Sequence, residues 1–390
     1  MGTRQNGIRL AKRLDEVGFS NIVQIRSKIM EMRAAGVKVY ALDGGEAFFE
    51  TPEKIKQAGI DALKEGRTRY APSSGLLPLR EALAKKLAAK NGIGATASET
   101  IVTVGGMQAL YAAFQCVLDP GDDMLVFSPY RTPIADLVTG TQARPLLVPM
   151  VSARRNGIAA TLEQFATPQT RAIYYNMPSS PSGVVFTRAE AEEVAAFAIE
   201  RELVVIADEA YEDLVYDGQH VSIASLPGMA ERTITCFSFS KTYAMSGWRA
   251  GYAVAQEPFM TGLHKMVLYS TRGVSTPVQH AMMQALATPE AEIASRREEY
   301  RQRRDLLVAG LNELGLECPP PAGAFYAFPN AEKIHKNSRK AAQLLLEKAH
   351  IATIPGSVFG AQGEGHLRFS FAVPLEETED CLAALRGFFA

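Results

Sequence analysis

The sequence is poor in everything that would tie it to a surface or a polymer. Its 390 residues hold 41 Lys and Arg against 42 Asp and Glu, a formal net charge of −1. No long run of one sign occurs, which argues against nucleic acid or an anionic membrane as partner. No window approaches the roughly 18 consecutive apolar residues a membrane span needs, and the N-terminus, MGTRQNGIRLAKRL, lacks the apolar core of a signal peptide. Four cysteines, Cys116, Cys236, Cys318 and Cys381, are too few and too widely spaced for a disulfide framework or a metal knuckle. They read as reduced residues of a cytosolic protein, and no metal site is expected. Internal repeats and low-complexity tracts are also missing.

With 47% hydrophobic residues, the chain can bury one large core and is long enough for two domains. Ile22, Ile25, Ile29, Met30 and Met32 recur at helical spacing, with Ser20 as N-cap and Gly36 as stop, and predict a first helix. Val37 to Leu42 reads as a short strand before the glycine pair Gly44 and Gly45, and Pro52 to Glu65 as a helix. Tyr70 stands in a polar loop, where an aromatic side chain has no helix or strand face to bury.

From Glu99 the pattern turns to alternating strands and helices. The strands are Ile101 to Val104, the DMLVFS run from Asp123, Arg144 to Pro149, Ala172 to Tyr175, Leu203 to Ala207, the TITCFSF run from Thr233, and GYAVA from Gly251. Helices are expected over Met107 to Leu118 and Ala189 to Glu200. The alternation implies a mainly parallel, seven-stranded sheet between helices. Gly105 and Gly106, between a strand and a helix N-terminus, make an anion site, since free N–H groups and the helix dipole point at one spot. Further on, Glu290 to Leu314 and Ser338 to His350 read as helices and HLRFSFA as a strand, followed by a C-terminal helix. Residues 48–289 are expected to form a large domain; 1–47 and 290–390 are expected to form a smaller α+β domain with an N-terminal arm.

The most informative stretch is SFSKTYAMSGWRAGY, Ser238 to Tyr252. A single lysine, Lys241, follows a buried strand, and open α/β sheets bind ligands at strand ends. An amine there can form a Schiff base with an aldehyde, while Ser238, Ser240 and Arg249 can hold a dianionic phosphate. Asp208 ends another apolar strand, and a carboxylate beside a pyridine nitrogen keeps that nitrogen protonated. Pyridoxal 5′-phosphate (PLP) satisfies all three demands.

With Asp208, Tyr211, Lys241 and Arg249 in this order, the chain resembles the class I and II aminotransferases of PLP fold type I, particularly the bacterial aspartate and aromatic enzymes. The resemblance extends from GGEAFFETP at Gly44 to HLRFSFA at His366. It implies that Lys241 binds PLP covalently and then moves a proton at the substrate Cα. It likewise implies that Asp208 pairs with the ring nitrogen and that Tyr211 donates to the phenolic oxygen. Backbone amides of Gly105, Gly106 and Met107, with Ser238 and Arg249, would hold the phosphate. Tyr70 would reach the phosphate of a neighbouring subunit, which makes a homodimer with shared sites the expected state. Arg368 would clamp the substrate carboxylate, helped by the amide of Gly45.

Three positions depart from the family pattern. Ser180 stands in YNMPSSPSG where an asparagine usually tunes the cofactor oxygen. In SPYRTPI, Arg131 replaces an aromatic that stacks on the ring, so either Tyr130 takes over by a register shift or Arg131 stacks or meets an anionic substrate group. Met107 replaces a lysine typical of aspartate-specific relatives and carries no charge. The resemblance therefore implies transfer of an α-amino group from an L-amino acid to a 2-oxo acid, without dicarboxylate specificity. The alternative is a specialised PLP reaction on the same fold: elimination, cyclisation, decarboxylation or oxidation. A third reading, the effector domain of a transcriptional regulator, expects a helix-turn-helix segment for which few residues precede Gly44.

Overall fold

A computed structural model describes residues 4–5, 8–18 and 29–390. The expected first helix is seen only from 29 to 34; Ser20, Ile22 and Ile25 lie outside the described residues.

Seven strands form the main sheet: β1 (Thr100–Val104), β2 (Asp123–Ser128), β3 (Arg144–Pro149), β4 (Thr170–Asn176), β5 (Val204–Asp208), β6 (Thr233–Ser238) and β7 (Ala250–Val254). Their order is β1-β7-β6-β5-β4-β2-β3, and β7 alone runs antiparallel to its neighbours. Sequence explains the placement. β2 and β5 are apolar nearly throughout and buried along their whole length, as parallel strands covered on both faces must be. β3 carries Pro145 and Pro149, which cannot donate to a ladder on both sides, and it takes the edge.

Helices cover both faces. α1 (Glu53–Lys64) and α2 (Leu77–Lys86) precede the sheet, and α3 (Gly105–Val117) begins at the glycine pair itself, two residues earlier than the pattern predicts. Arg188–Glu200 is α4, capped reciprocally: Glu190 N–H donates to Thr187 Oγ1 at 3.2 Å and Thr187 N–H to Glu190 Oε2 at 2.7 Å. After β7 come α5 (Phe259–Thr271) and α6 (Thr276–Leu286), where the sequence analysis assigns no elements. Met260, Leu263 and Val267 are buried at helical spacing in α5, so the signal was present.

A separate core lies beyond α6. It is built from α7 (Glu290–Glu313), α8 (Ser338–Ala349), α9 (Leu375–Phe389) and a three-stranded sheet ordered Tyr326–Ala327, Leu367–Ser370, Ile354–Pro355. Phe325, Phe369, Phe371, Leu307 and Leu382 fill it, and Leu42, Tyr211 and Leu214 join from earlier in the chain. The predicted strand at Val37 to Leu42 shrinks to Tyr40–Ala41, because among the described residues only Ile351–Ala352 pairs with it. All four cysteines are free, three of them buried. No helix among the described residues is long and apolar enough to cross a membrane.

Candidate active site

Parallel strands end on one side of the sheet, and the chemistry gathers there. Asp208 is the last residue of β5, Ser238 the last of β6, and Gly105 follows the last residue of β1. Lys241 follows β6 by three residues. Gly45, Gly106, Met107, Arg131, Asp208, Tyr211, Ser238, Lys241 and Arg249 line one cavity of about 250 Å³, together with Glu46, Ser240 and Ser246.

The seat beside α3 depends on missing side chains. A Cβ on Gly105 would fall 2.7 Å from Arg249 Nη2, and one on Gly251 would fall 2.5 Å from the carbonyl carbon of Gly105. Gly105 also has φ +72°, which glycine adopts freely. Bare backbone N–H groups of a 13-residue helix thus meet a guanidinium and the Ser238 hydroxyl, a donor set that suits a phosphate.

Lys241 donates from Nζ to the Gly45 carbonyl and lies 5.5 Å from the Phe325 ring centroid. Burial is the main force lowering its pKa. The nearby charges of Arg131 and Arg368 push the same way, against Tyr326 and Glu46. A lysine so placed gives up its proton more readily than one in water, as an amine that attacks an aldehyde must.

Tyr211 and Tyr326 bring their hydroxyls to 3.0 Å. Burial holds the Tyr211 phenol well above its ordinary range. For Tyr326 burial acts in the same direction, but Arg368, Lys241 and the bond from Tyr211 outweigh it and the pKa falls. Tyr211 is therefore the donor of the pair.

Asp208, 2% exposed, accepts at Oδ2 from Tyr174 OH at 2.8 Å and from Arg131 Nη1 at 3.1 Å. Its carbonyl accepts from Asn176 Nδ2 at 2.9 Å, and Asn176 Oδ1 accepts the Ser180 N–H at 2.9 Å. Ser180 itself is buried outside the cavity lining, tied to Asp208 through Asn176. Tyr130 is likewise outside it: its N–H donates to Phe359 O at 3.0 Å and its ring faces Gly360. Of the two alternatives in SPYRTPI, Arg131 is the side chain that lines the cavity.

Arg368 sits in the middle strand of the three-stranded sheet, 6% exposed, so it is no edge charge facing water. Its Nη2 donates to Asp43 O at 2.9 Å, its guanidinium lies 4.2 Å from the Tyr326 ring centroid, and its buried Nε has no hydrogen-bond partner among the described residues. Such an orphaned donor suits an incoming carboxylate. Tyr70 is 84% exposed and lines a different depression with Arg272, whose guanidinium lies 4.7 Å from its ring centroid.

Behind Asp208 the fully buried Glu209 accepts from Ser222 Oγ at 2.6 Å and pairs with His220 Nε2 at 2.8 Å. Glu209, Glu212 and His220 bring ligand atoms within 4.8 Å of one another, but Lys86 Nζ already supplies a cation there, on Glu212. Sequence reasoning missed Tyr326, Tyr174 and this network. Tyr326 lies in a buried strand, Tyr326–Ala327, and a buried hydroxyl needs a partner; the apolar run GAFYAF around it is the signal that could have found it.

A family model for class I and II aminotransferases matches residues 37–385. The aspartate/prephenate aminotransferase of Thermus thermophilus is 39% identical over 381 residues, covering 96% of this chain and 97% of that protein. Aromatic-amino-acid aminotransferase 2 of Thermococcus litoralis is 37% identical, with 96% of each chain covered. Among solved structures, the aspartate aminotransferase of Thermus thermophilus with maleate superposes with a TM-score of 0.93 at 37% identity, covering 98% of this chain and 100% of that one.

Proposed function

The chain belongs to the class I and II aminotransferases, and from that premise we propose how its residues move the α-amino group of an L-amino acid to a 2-oxo acid. The observation that carries the reading is the buried Lys241, its amine held toward neutrality in one cavity with Asp208, Arg249 and the bare start of α3. That donor set fits PLP, which when bound draws electrons from the substrate Cα toward its protonated ring nitrogen.

In this reading the amides of Gly105, Gly106 and Met107, with Ser238 and Arg249, hold the phosphate. Tyr70 of a second copy completes that seat, so the working unit is a homodimer. Asp208 binds the ring nitrogen, its position fixed by Asn176 and Tyr174. Tyr211 donates toward the phenolic oxygen, and Tyr326 shares that proton. Arg368 takes the substrate carboxylate through its orphaned Nε, helped by the Gly45 amide. Lys241 accepts the proton from Cα and returns it on the other side of the transfer, the role its lowered pKa favours. Relatives named for aspartate/prephenate and for aromatic amino acids support transfer over the specialised reactions.

Met107 lines the cavity without charge, so we place the side-chain specificity with apolar or aromatic donors rather than dicarboxylates alone. A panel of L-amino donors at a fixed 2-oxo acid, with products identified, tests this. Aromatic and aliphatic donors should equal or exceed Asp and Glu in kcat/KM. If Asp and Glu react fastest, the reading of Met107 fails. If oxo acid forms without consumption of the acceptor, amino transfer itself fails.

A further inference from the structure

We infer that Arg131 is a positioning residue that weakens the bond between Asp208 and the cofactor's ring nitrogen by sharing the carboxylate. The inference rests on the PLP reading above and goes beyond it, since it concerns how strongly this chain holds the nitrogen.

The geometry is specific. Asp208 Oδ2 accepts from Arg131 Nη1 at 3.1 Å and from Tyr174 OH at 2.8 Å, while Oδ1 accepts the Ala210 N–H at 3.3 Å, a long bond. A carboxylate offers about four lone-pair sites, so a further donor can be received at Oδ1 without expelling the guanidinium. Arg131 is pinned where it is. The preceding residue's N–H donates to Phe359 O at 3.0 Å, and the Arg131 carbonyl accepts the Ile134 N–H at 3.1 Å. From beyond the end of β2 the side chain crosses the end of β4 to reach the end of β5, and β4 supplies the tyrosine that meets the same oxygen. Only a quarter of the Arg131 side chain and 3% of that of Asp208 are exposed, so water screens the pair little. Guanidinium stays charged at any working pH. A carboxylate already neutralising one full positive charge attracts a second cation less than one facing a neutral phenol.

The test uses the full-length protein stripped of cofactor, titrated with PLP and with its 1-deaza analogue, which has C–H in place of the ring nitrogen. Both ligands share every contact except the one to Asp208. In Arg131→Met the ratio of PLP affinity to analogue affinity should rise about tenfold, the scale of one charged hydrogen bond, and Arg131→Lys should restore it toward wild type. Should Arg131→Met lose its fold by circular dichroism, Arg131→Gln carries the same expectation. If both affinities shift equally, Arg131 acts by packing and the inference is overturned; a fall in the ratio overturns it as well. If neither ligand binds the wild-type protein, the cofactor reading fails and this inference with it.

Discussion

Tyr211 and Tyr326 share one hydrogen bond 3.0 Å long, and their phenols are driven in opposite directions, Tyr211 upward and Tyr326 downward. The cause is position: both are buried, but Tyr326 lies under the Arg368 guanidinium and within the field of Lys241. One of the two tyrosines thus keeps its proton while the other is ready to accept.

Replacing Tyr326 by Phe keeps the ring under Arg368 and removes the acceptor. Tyr326 is the largest influence raising the Lys241 pKa, so its loss should let burial and Arg131 lower that pKa further. The pH profile of PLP incorporation at Lys241 should extend to lower pH, and kcat/KM should fall about tenfold. A profile that stays put or moves to higher pH contradicts the coupling.

Burial opposes the charge on His220, but the Glu209 carboxylate 2.8 Å away outweighs it and the pKa rises. A group whose pKa is raised by folding stabilises the protein fully below its unfolded value, about 6.5, and loses that contribution as pH climbs through the folded value. Urea midpoints of wild type and His220→Gln should therefore differ more at pH 6 than at pH 9. Equal differences at the two pH values would show that the ion pair contributes nothing.

Gly251→Ala places a Cβ 2.5 Å from the Gly105 carbonyl carbon and 2.8 Å from the Phe237 oxygen, all backbone and unable to yield cheaply. It should cost about 1–3 kcal/mol in urea unfolding and weaken binding of PLP more than of pyridoxal, because the start of α3 must move. Gly247→Ala, with nothing among the described residues within 4 Å of its Cβ, is the control and should leave both unchanged.

Tyr70 stands 84% exposed, apart from the cavity of its own chain. Variants Tyr70→Ala and Lys241→Ala should each be inactive or nearly so. Refolded together at equal amounts they should regain about a quarter of wild-type activity, since half the dimers would be mixed and each would hold one intact site. No recovery on mixing would place Tyr70 outside the neighbour's site.

Much of this was written in the chain. Strands buried on both faces announce themselves as short apolar runs, and the residue that ends such a run is fixed at the sheet's C-terminal edge; hence Asp208, Ser238 and the glycine pair could be placed beforehand, with Lys241 just beyond. Local patterning has no comparable hold on the rest. Tyr40–Ala41 is a strand only because Ile351–Ala352 lies beside it. Whether Tyr130 or Arg131 enters the cavity depends on a bond from Tyr130 to Phe359, more than two hundred residues away in sequence. Tyr326 meets Tyr211 because two cores join there. The sequence by itself determined which chemistry the strand ends carry, because periodicity and burial are properties of a few consecutive residues. Tertiary structure alone decided how Arg131, Tyr174 and Tyr326 share their protons and charges with those strand ends, because such contacts are made between side chains brought together only by folding.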